Sequence, residues 1–138
     1  MRILGIDYGK KRLGLSLSDE EETLASPLSV YQRRDLDRDL AFLAHLVDER
    51  NIGRIVVGLP RNMDGTLGEM AQEVLAFVET LKKKTDLPID TFDERLSTAE
   101  AERVLIQADL SRKRRKTLRD SLAAVLILQG YLENLKKA

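Results

Sequence analysis

Acidic residues stand at three places along the chain where a carboxylate needs a partner. Asp7 interrupts the apolar run "RILGIDYG", Asp93 and Glu94 end the segment "PIDTFDE", and Asp120 heads an apolar face of the last helical segment. A carboxylate at such a place must be paired, hydrogen-bonded or bound to a cation. Three carboxylates brought together would repel one another unless a divalent cation bridged them. Mg²⁺ prefers carboxylate, water and phosphate oxygens, so the combination indicates metal-assisted phosphodiester cleavage.

Each of these carboxylates also has a purely structural interpretation. Asp7 could cap the turn that follows it. Asp93 or Glu94 could pair with Arg95, or simply be exposed. Asp120 could lie in the first turn of a helix, where the helix dipole favours a negative charge. These interpretations remain open at the level of the sequence.

The composition fits one domain that spans residues 1–138. Hydrophobic residues make up 43% of the chain and charged residues 33%, with a formal net charge of zero, as in globular rather than disordered proteins. The absence of cysteine excludes disulfides and thiolate-bound zinc. The single histidine, His45, is expected at the surface of a helix. No signal peptide and no apolar stretch of about 20 residues is found, so we expect a cytoplasmic protein without a membrane segment.

The elements that must position the acids alternate in type. The apolar run Ile3–Tyr8 and the period-two alternation of residues 13–18 together predict a β-hairpin, and "TLASPLSVYQ" predicts a weaker third strand. Helical spacing predicts helices near residues 36–47 and 70–81, on either side of the buried strand "RIVVGLP". "LPIDTFDE" is the next strand, a capping box opens a helix over residues 98–107, and the last helix covers about residues 117–136. The order β-β-β-α-β-α-β-α-α predicts a mixed α/β sheet with helices on its faces.

Four segments carry a resemblance to a known family: "GIDYGKKRLGLSLSD", "VVGLPRNMDGT", "DERLSTAEAE" and "RDSLAAVLILQGYL". In this order they resemble the YqgF family, also called RuvX, nearly end to end. The resemblance implies an RNase H-like fold, with a mixed five-stranded sheet of three antiparallel strands followed by parallel strands. It implies that Asp7, Glu94 and Asp120 are catalytic and bind Mg²⁺ or Mn²⁺, with Asp93 as a further possible ligand. It also implies a nuclease that processes the 5′ end of pre-16S ribosomal RNA, or a Holliday junction resolvase.

Basic and polar residues around these motifs are the candidate contacts to nucleic acid: Lys10, Lys11, Arg61, Asn62, Arg95, Arg112, Lys113, Arg114 and Arg115. The last four belong to a basic stretch that could meet phosphates or form a solvated loop. A smaller basic cluster, Arg33, Arg34 and Arg38, has the same two interpretations. Aromatic residues make up only 4% of the chain, so binding would depend on phosphates and shape rather than on base stacking.

The segment "GLPRNMDGT" contains no obvious catalytic acid. Asn62 and Thr66 could hydrogen-bond a phosphate or ribose, or Asn62 and Asp64 could hold an ordered turn. Gly58 permits close backbone approach after the strand. Arg95, in the next motif, could orient Glu94 or touch the substrate.

Other functions compete with the nuclease that matures ribosomal RNA. A junction resolvase would use the same acids on DNA, and its two symmetric cuts would need a homodimer rather than a monomer. A phosphotransferase of the actin and sugar-kinase type shares the glycine-containing hairpin but needs two such domains. A non-catalytic protein that binds nucleic acid on the ribosomal subunit or its precursor would not need three converging acids.

Overall fold

The computed structural model describes residues 1–96 and 121–137 of the chain, which form a five-stranded sheet covered by helices on both faces. The strands are β1 (Arg2–Tyr8), β2 (Arg12–Ser18), β3 (Ala25–Gln32), β4 (Ile52–Leu59) and β5 (Ile89–Asp93). The helices are α1 (Leu36–Glu49), α2 (Glu69–Lys82) and α3 (Leu122–Lys137), and a single 3-10 turn, Glu94–Leu96, follows β5. The sheet order is β3-β2-β1-β4-β5.

The central strand β1 joins the two halves of the sheet. It pairs antiparallel with β2 and parallel with β4. The outer pairs follow the same division, because β2 and β3 are antiparallel whereas β4 and β5 are parallel. The predicted mixed sheet, with three antiparallel strands followed by parallel ones, is therefore confirmed.

Alternation along β1 sends its side chains to two separate cores. Leu4 and Ile6 are buried in the core that includes residues of α1 and α2. Ile3 is buried in the second core, which includes residues of α3. Because side chains on a strand alternate between faces, Gly5 and Asp7 share the α3 face with Ile3.

Small residues on the α3 face allow α3 to approach the sheet closely. The hydroxyl of Ser16 on β2 donates a 2.7 Å hydrogen bond to the carbonyl of Ala124. A β-carbon added at Gly5 would lie 2.9 Å from the β-carbon of Leu128, so only glycine leaves room for the helix there. The first turns of α3 are thereby held against the ends of β1 and β2 that carry Asp7.

Two details of the sequence pattern are clarified by the fold. Pro27 lies on the edge strand β3 next to a register shift, as expected for a residue without an N–H. Three-and-four spacing alone would place Ala123 on the sheet-facing side with Ala124, Ile127 and Tyr131, but Ala123 is exposed whereas the other three are buried. The sheet-facing stripe centres on residues 124, 127, 128 and 131, and residue 123 is rotated by about 100° from residue 124.

Several sequence predictions fall outside the described residues. These are the helix over residues 98–107, the basic stretch at 112–116, and the first residues of the last helix, 117–120. Within the described ranges, no helix is long and apolar enough to cross a membrane. His45 is exposed, as predicted, and its Nε2 lies 3.2 Å from a carboxylate oxygen of Glu49 one helical turn later.

Candidate active site

The carboxylate of Asp7 lies between the sheet and the first turns of α3. Asp7 is paired with Gly14 across the β1–β2 ladder. A β-carbon added at Gly14 would be 3.7 Å from Asp7 Oδ2 and 3.6 Å from the methyl of Ala124. Asp7 is half-buried, and burial raises the pKa of its carboxyl above the ordinary value. Among the described residues no donor hydrogen-bonds this carboxylate, so its position there is not explained as a turn cap.

Glu94 reaches the same face of the sheet from the end of β5. In the parallel ladders Ile6 pairs with Val57, which places Gly58 of β4 beside Asp7. A β-carbon added at Gly58 would lie 2.5 Å from Glu94 Oε1, so this carboxylate occupies the space above the glycine. Burial, and then the negative charges of Asp7 and Asp93, raise the pKa of Glu94. The two carboxylates are thus close enough to repel each other, because Gly58, the β4 residue between them, has no side chain.

Asp93 points away from this pair, because it alternates with Glu94 along the chain. It accepts hydrogen bonds from Arg95, with Nη2 2.6 Å from Oδ2, and Arg61 Nε lies 3.9 Å from the same oxygen. The hydrogen bonds from Arg95 hold the pKa of Asp93 below its ordinary value. Of the sequence alternatives for Arg95, the structure shows pairing with Asp93.

The segment after β4 forms an ordered turn made largely from its own side chains. Asn62 Nδ2 donates a 3.0 Å hydrogen bond to Thr66 Oγ1, and Asp64 Oδ1 accepts from both the N–H and the hydroxyl of Thr66. Arg61 donates to the carbonyl of Gly65, whose φ of +89° suits glycine. The interpretation of "RNMDGT" as a turn held by Asn62 and Asp64 therefore matches the structure.

An open cleft of about 1010 Å³ extends from Asp7 toward the edge strand β3. Its lining includes the predicted contacts Lys10 and Lys11, and also Arg12, which the sequence analysis did not single out. Lys10 Nζ lies 3.4 Å from a carboxylate oxygen of Glu73 on α2. An acidic group and several cations thus share one cleft, an arrangement that suits a phosphodiester.

The third predicted acid and four of the predicted contacts lie outside the described residues. These are Asp120 and Arg112, Lys113, Arg114 and Arg115. Among residues 1–96 and 121–137, no three acidic or histidine side chains come together in a group that could hold a metal ion. In sequence, Asp120 directly precedes the buried Ser121 and stands four positions before Ala124, which lies beside Gly14.

The strand order and the mixture of antiparallel and parallel pairs define a class by fold, the RNase H-like fold that RuvC also has. The structure of Thermus thermophilus RuvC with a Holliday junction substrate matches with a TM-score of 0.65 at 19% identity, covering 100% of this chain and 98% of that chain. The fowlpox virus resolvase in complex with Holliday junction DNA matches with a TM-score of 0.58 at 11% identity, covering 98% and 99%. At these identities the similarity shows the fold alone.

Sequence comparison is more specific. A protein of Desulforamulus reducens, provisionally named a pre-16S rRNA nuclease, is 50% identical over 134 residues, which cover 97% of this chain and 98% of that protein. The family model described as "RuvX: Holliday junction resolvase" matches residues 1–134. The chain belongs to this family. Membership places it among nucleases, the hydrolases that act on phosphodiester bonds.

Proposed function

We propose that this protein is a divalent-metal-dependent nuclease that processes the 5′ end of pre-16S ribosomal RNA, with Asp7, Glu94 and Asp120 as its catalytic acids. The observation that carries the proposal is that Glu94 lies over Gly58, beside Asp7 on the neighbouring strand, close enough for the charge of Asp7 to raise the pKa of Glu94. The provisional name of the relatives at about half identity supports the choice of substrate.

The described donor set fits a hard divalent cation. Asp7 and Glu94 offer carboxylate oxygens, which Mg²⁺ and Mn²⁺ accept as ligands. Burial and mutual repulsion raise the pKa of Glu94, and burial raises that of Asp7, so a cation between the two would relieve an unfavourable arrangement. Gly58 keeps the space above β4 clear for Glu94. The specific ion and the part played by Asp120 belong to the proposal.

In hydrolysis, the metal and the side chains of the cleft would have separate roles. A bound divalent metal would activate a water and stabilise the leaving oxygen. Asp7 and Glu94 would hold it from two strands that flank β4, a rigid support for the site. Arg95 keeps the Asp93 carboxylate bound at the opposite face, which limits its repulsion of Glu94. Lys11 would bind a substrate phosphate in the cleft that contains Asp7.

Asp120 completes the proposed acid set on sequence grounds. In the sequence it stands four positions before Ala124, whose methyl would lie 3.6 Å from a β-carbon added at Gly14, the residue paired with Asp7. That sequence spacing is the basis for proposing Asp120 as the third ligand. The basic residues of 112–115 would add phosphate contacts, whereas Asp93, which is bound by Arg95, is left out of the proposed ligand set.

A junction resolvase is the second candidate, favoured by the description of the matching family and by the similarity in fold to RuvC. It would use the same acids on branched DNA. The two candidates differ in substrate and not in the chemistry proposed for the acids.

The deciding experiment compares cutting of two substrates by the same preparations. Wild-type protein, Asp7→Asn and the control Asp86→Asn, which changes an exposed acid remote from the cleft, are incubated with Mg²⁺ or Mn²⁺. The substrates are a pre-16S RNA with its 5′ extension and a four-way DNA junction. We expect the RNA to be cut by wild type and Asp86→Asn but not by Asp7→Asn. Cutting of the four-way DNA junction without cutting of the RNA would contradict this proposal and support the junction resolvase.

Two further results bear on the catalytic role. Calorimetric titration with Mn²⁺ should show binding that Asp7→Asn or Glu94→Gln abolishes. Full biological rescue by a double variant, Asp7→Ala with Asp120→Ala, would instead support a non-catalytic protein that binds the ribosomal subunit or its precursor.

A further inference from the structure

Three exposed cations on the Asp7 side of the sheet form no ion pair with any other described residue. Lys11 and Arg12 lie at the start of β2, and Arg34 lies between β3 and α1. We call these three residues the basic ridge. Within the described part of the chain, none of their side chains forms an ion pair.

Other cations near the site are paired with carboxylates. Lys10 is paired with Glu73, and Arg38 with Asp35 at 3.4 Å. On the other side of the site, Arg95 and Arg61 both lie against Asp93. Among residues 1–96 and 121–137, the unpaired positive charge near the site therefore lies on the β2–β3 side of Asp7, and the turn at residues 61–67 contributes little of it.

The ridge lies along two clefts that share lining residues. The cleft that contains Asp7 is lined by Lys11, Arg12 and Gln32. A second cleft of about 580 Å³ shares Lys11 and Gln32 with the first and contains Arg34. Its acids, Asp35, Asp39 and Glu73, are each paired with a cation. Arg12 pairs directly with Gln32 across the ladder, and Arg34 follows Gln32 by two residues. The α-carbons of Arg12 and Arg34 are therefore within about 13 Å of each other.

A buried ion pair fixes the backbone of this ridge. Asp39 is only 1% exposed, and its carboxylate accepts hydrogen bonds from Arg33 Nε at 2.9 Å and from the N–H of Arg34 at 3.0 Å. Arg33 also donates through Nη1 to the carbonyl of Gly9 and through its backbone N–H to the carbonyl of Lys11. One side chain thus ties the β1–β2 turn to the segment that leads into α1.

A solvent-exposed basic surface does not by itself need a buried ion pair such as Arg33–Asp39 beneath it. Burying an ion pair carries a desolvation cost that its mutual attraction repays only with good geometry and further hydrogen bonds. Here those bonds go to the backbone of Arg34 and Lys11, which carry two of the exposed cations, and of Gly9. A fixed backbone beneath these side chains reduces the conformational entropy that is lost when they bind an anion, so the ridge is preorganised at the level of its backbone.

We propose that the basic ridge of Lys11, Arg12 and Arg34 binds the phosphate backbone of the one polynucleotide strand that leads away from the cleavage point at Asp7, across β2 toward the edge strand β3. This inference rests on the proposed nuclease function and adds a path for the substrate. It assigns Arg12 and Arg34 as binding residues, with Arg33 and Asp39 as positioning residues.

The test measures binding without cutting. Arg12→Gln with Arg34→Gln is compared with Lys83→Gln with Lys84→Gln, which removes the same charge from exposed lysines after α2. The probes are a fluorescein-labelled 12-nucleotide RNA and a four-way DNA junction. Fluorescence anisotropy in EDTA gives Kd between 50 and 400 mM KCl.

Loss of two phosphate contacts should reduce the slope of log K against log salt by about 1.4 for the single-stranded RNA and about 1.8 for the junction. If affinities converge near 1 M salt, the RNA affinity at 0.1 M falls about 25-fold. The lysine control should keep the wild-type slope. Equal slopes for the two double variants, with both probes, would overturn the proposal.

This outcome is separable from failure of the nuclease assignment, because binding in EDTA needs no cleavage. A ridge variant with an unchanged slope, in a protein whose cutting depends on Asp7, would reject the ridge alone. A reduced slope, in a protein whose cutting does not depend on Asp7, would reject the catalytic assignment and keep the ridge.

Discussion

Replacing Gly58 with alanine tests the geometry of the site without substituting any titratable residue. The new methyl would clash with Ile127 Cδ1, its nearest atom, and would lie 2.5 Å from Glu94 Oε1. Contacts as short as these essentially do not occur, so the carboxylate, the isoleucine side chain or the strand must move. The Glu94 side chain is the easier group to displace, because Ile127 is packed in the core beneath α3.

The size of the displacement follows from the distances. An ordinary contact begins at 3.4 Å, so Oε1 must retreat by about 0.9 Å from its 2.5 Å position. A misplacement of about 1 Å in a catalytic group can lower the rate about 100-fold, equivalent to about 2.7 kcal/mol of activation free energy. Overpacking against Ile127 should also lower the free energy of unfolding, by about 1–3 kcal/mol.

The same substitution on the same strand provides the control. A β-carbon added at Gly53 would meet only the side chain of Met1 among its three nearest atoms, and Met1 is 72% exposed. Gly53→Ala should therefore keep the wild-type rate and Mn²⁺ affinity. Initial cleavage rates are measured at saturating substrate and metal, and urea unfolding is measured on the same preparations, so that rates are compared between fully folded proteins.

A Gly58→Ala protein that is folded, binds Mn²⁺ with wild-type affinity and cuts at the wild-type rate would refute the placement of Glu94 in the active site. An equal loss in Gly53→Ala would show that the effect comes from β4 as a whole. Loss of rate with unchanged affinity for RNA in EDTA is the expected pattern.

Three further predictions concern the carboxylates. Burial alone would raise the pKa of Asp39, but hydrogen bonds from Arg34, Arg33 and Tyr31 outweigh it and lower that pKa. The stability that wild type has over Asp39→Asn should hold above about pH 4 and shrink as the pH falls further, measured by urea unfolding from pH 7 to 3. Asp93→Asn should retain cleavage to within about tenfold, whereas Glu94→Gln should lose at least about 100-fold in single-turnover assays, because Asp93 is already bound by Arg95. Mn²⁺ at about 100 times its Kd should stabilise wild type by about 2.7 kcal/mol in thermal unfolding, and Asp7→Asn by much less.

Much of the fold follows from local patterns. Alternation in "RLGLSLS" and the continuous apolar run "RIVVGLP" predict β2 and β4 because burial on one or both faces leaves different periods in the sequence. The convergence of Asp7 and Glu94 is predictable in the same way, since both follow buried strands of one sheet. Gly58 was identified as a point of close approach, although the group that approaches it could be named only from the structure.

The parts that local patterns did not predict depend on distant partners. The cluster of Arg33, Arg34 and Arg38 looked uniform in sequence. In the structure Arg33 is half-buried against Asp39 and Arg38 is paired with Asp35, whereas the exposed side chain of Arg34 forms no ion pair within the described part of the chain. Asp39 itself looks like an ordinary acid in the first turn of a helix. Its burial arises because α1 packs beside the β1–β2 turn, which is a tertiary effect.

The Arg33–Asp39 pair offers a last prediction, in which stability and binding should separate. Removing one partner, as in Asp39→Leu, leaves a charge uncompensated and should cost about 3–5 kcal/mol of unfolding free energy. Replacing both, with Arg33→Met and Asp39→Leu, should recover a large part of that loss, because an apolar pair of similar volume needs no desolvation.

Binding should not recover with stability. The double variant still lacks the donor to the Gly9 carbonyl and the acceptor for the Arg34 N–H, so the backbone beneath the basic ridge loses its support. We expect the affinity for the 12-nucleotide RNA at 0.1 M salt to stay well below the wild-type value while the urea midpoint returns toward it. Recovery of both together would mean that the pair serves the stability of the fold alone, and that the exposed cations need no fixed support.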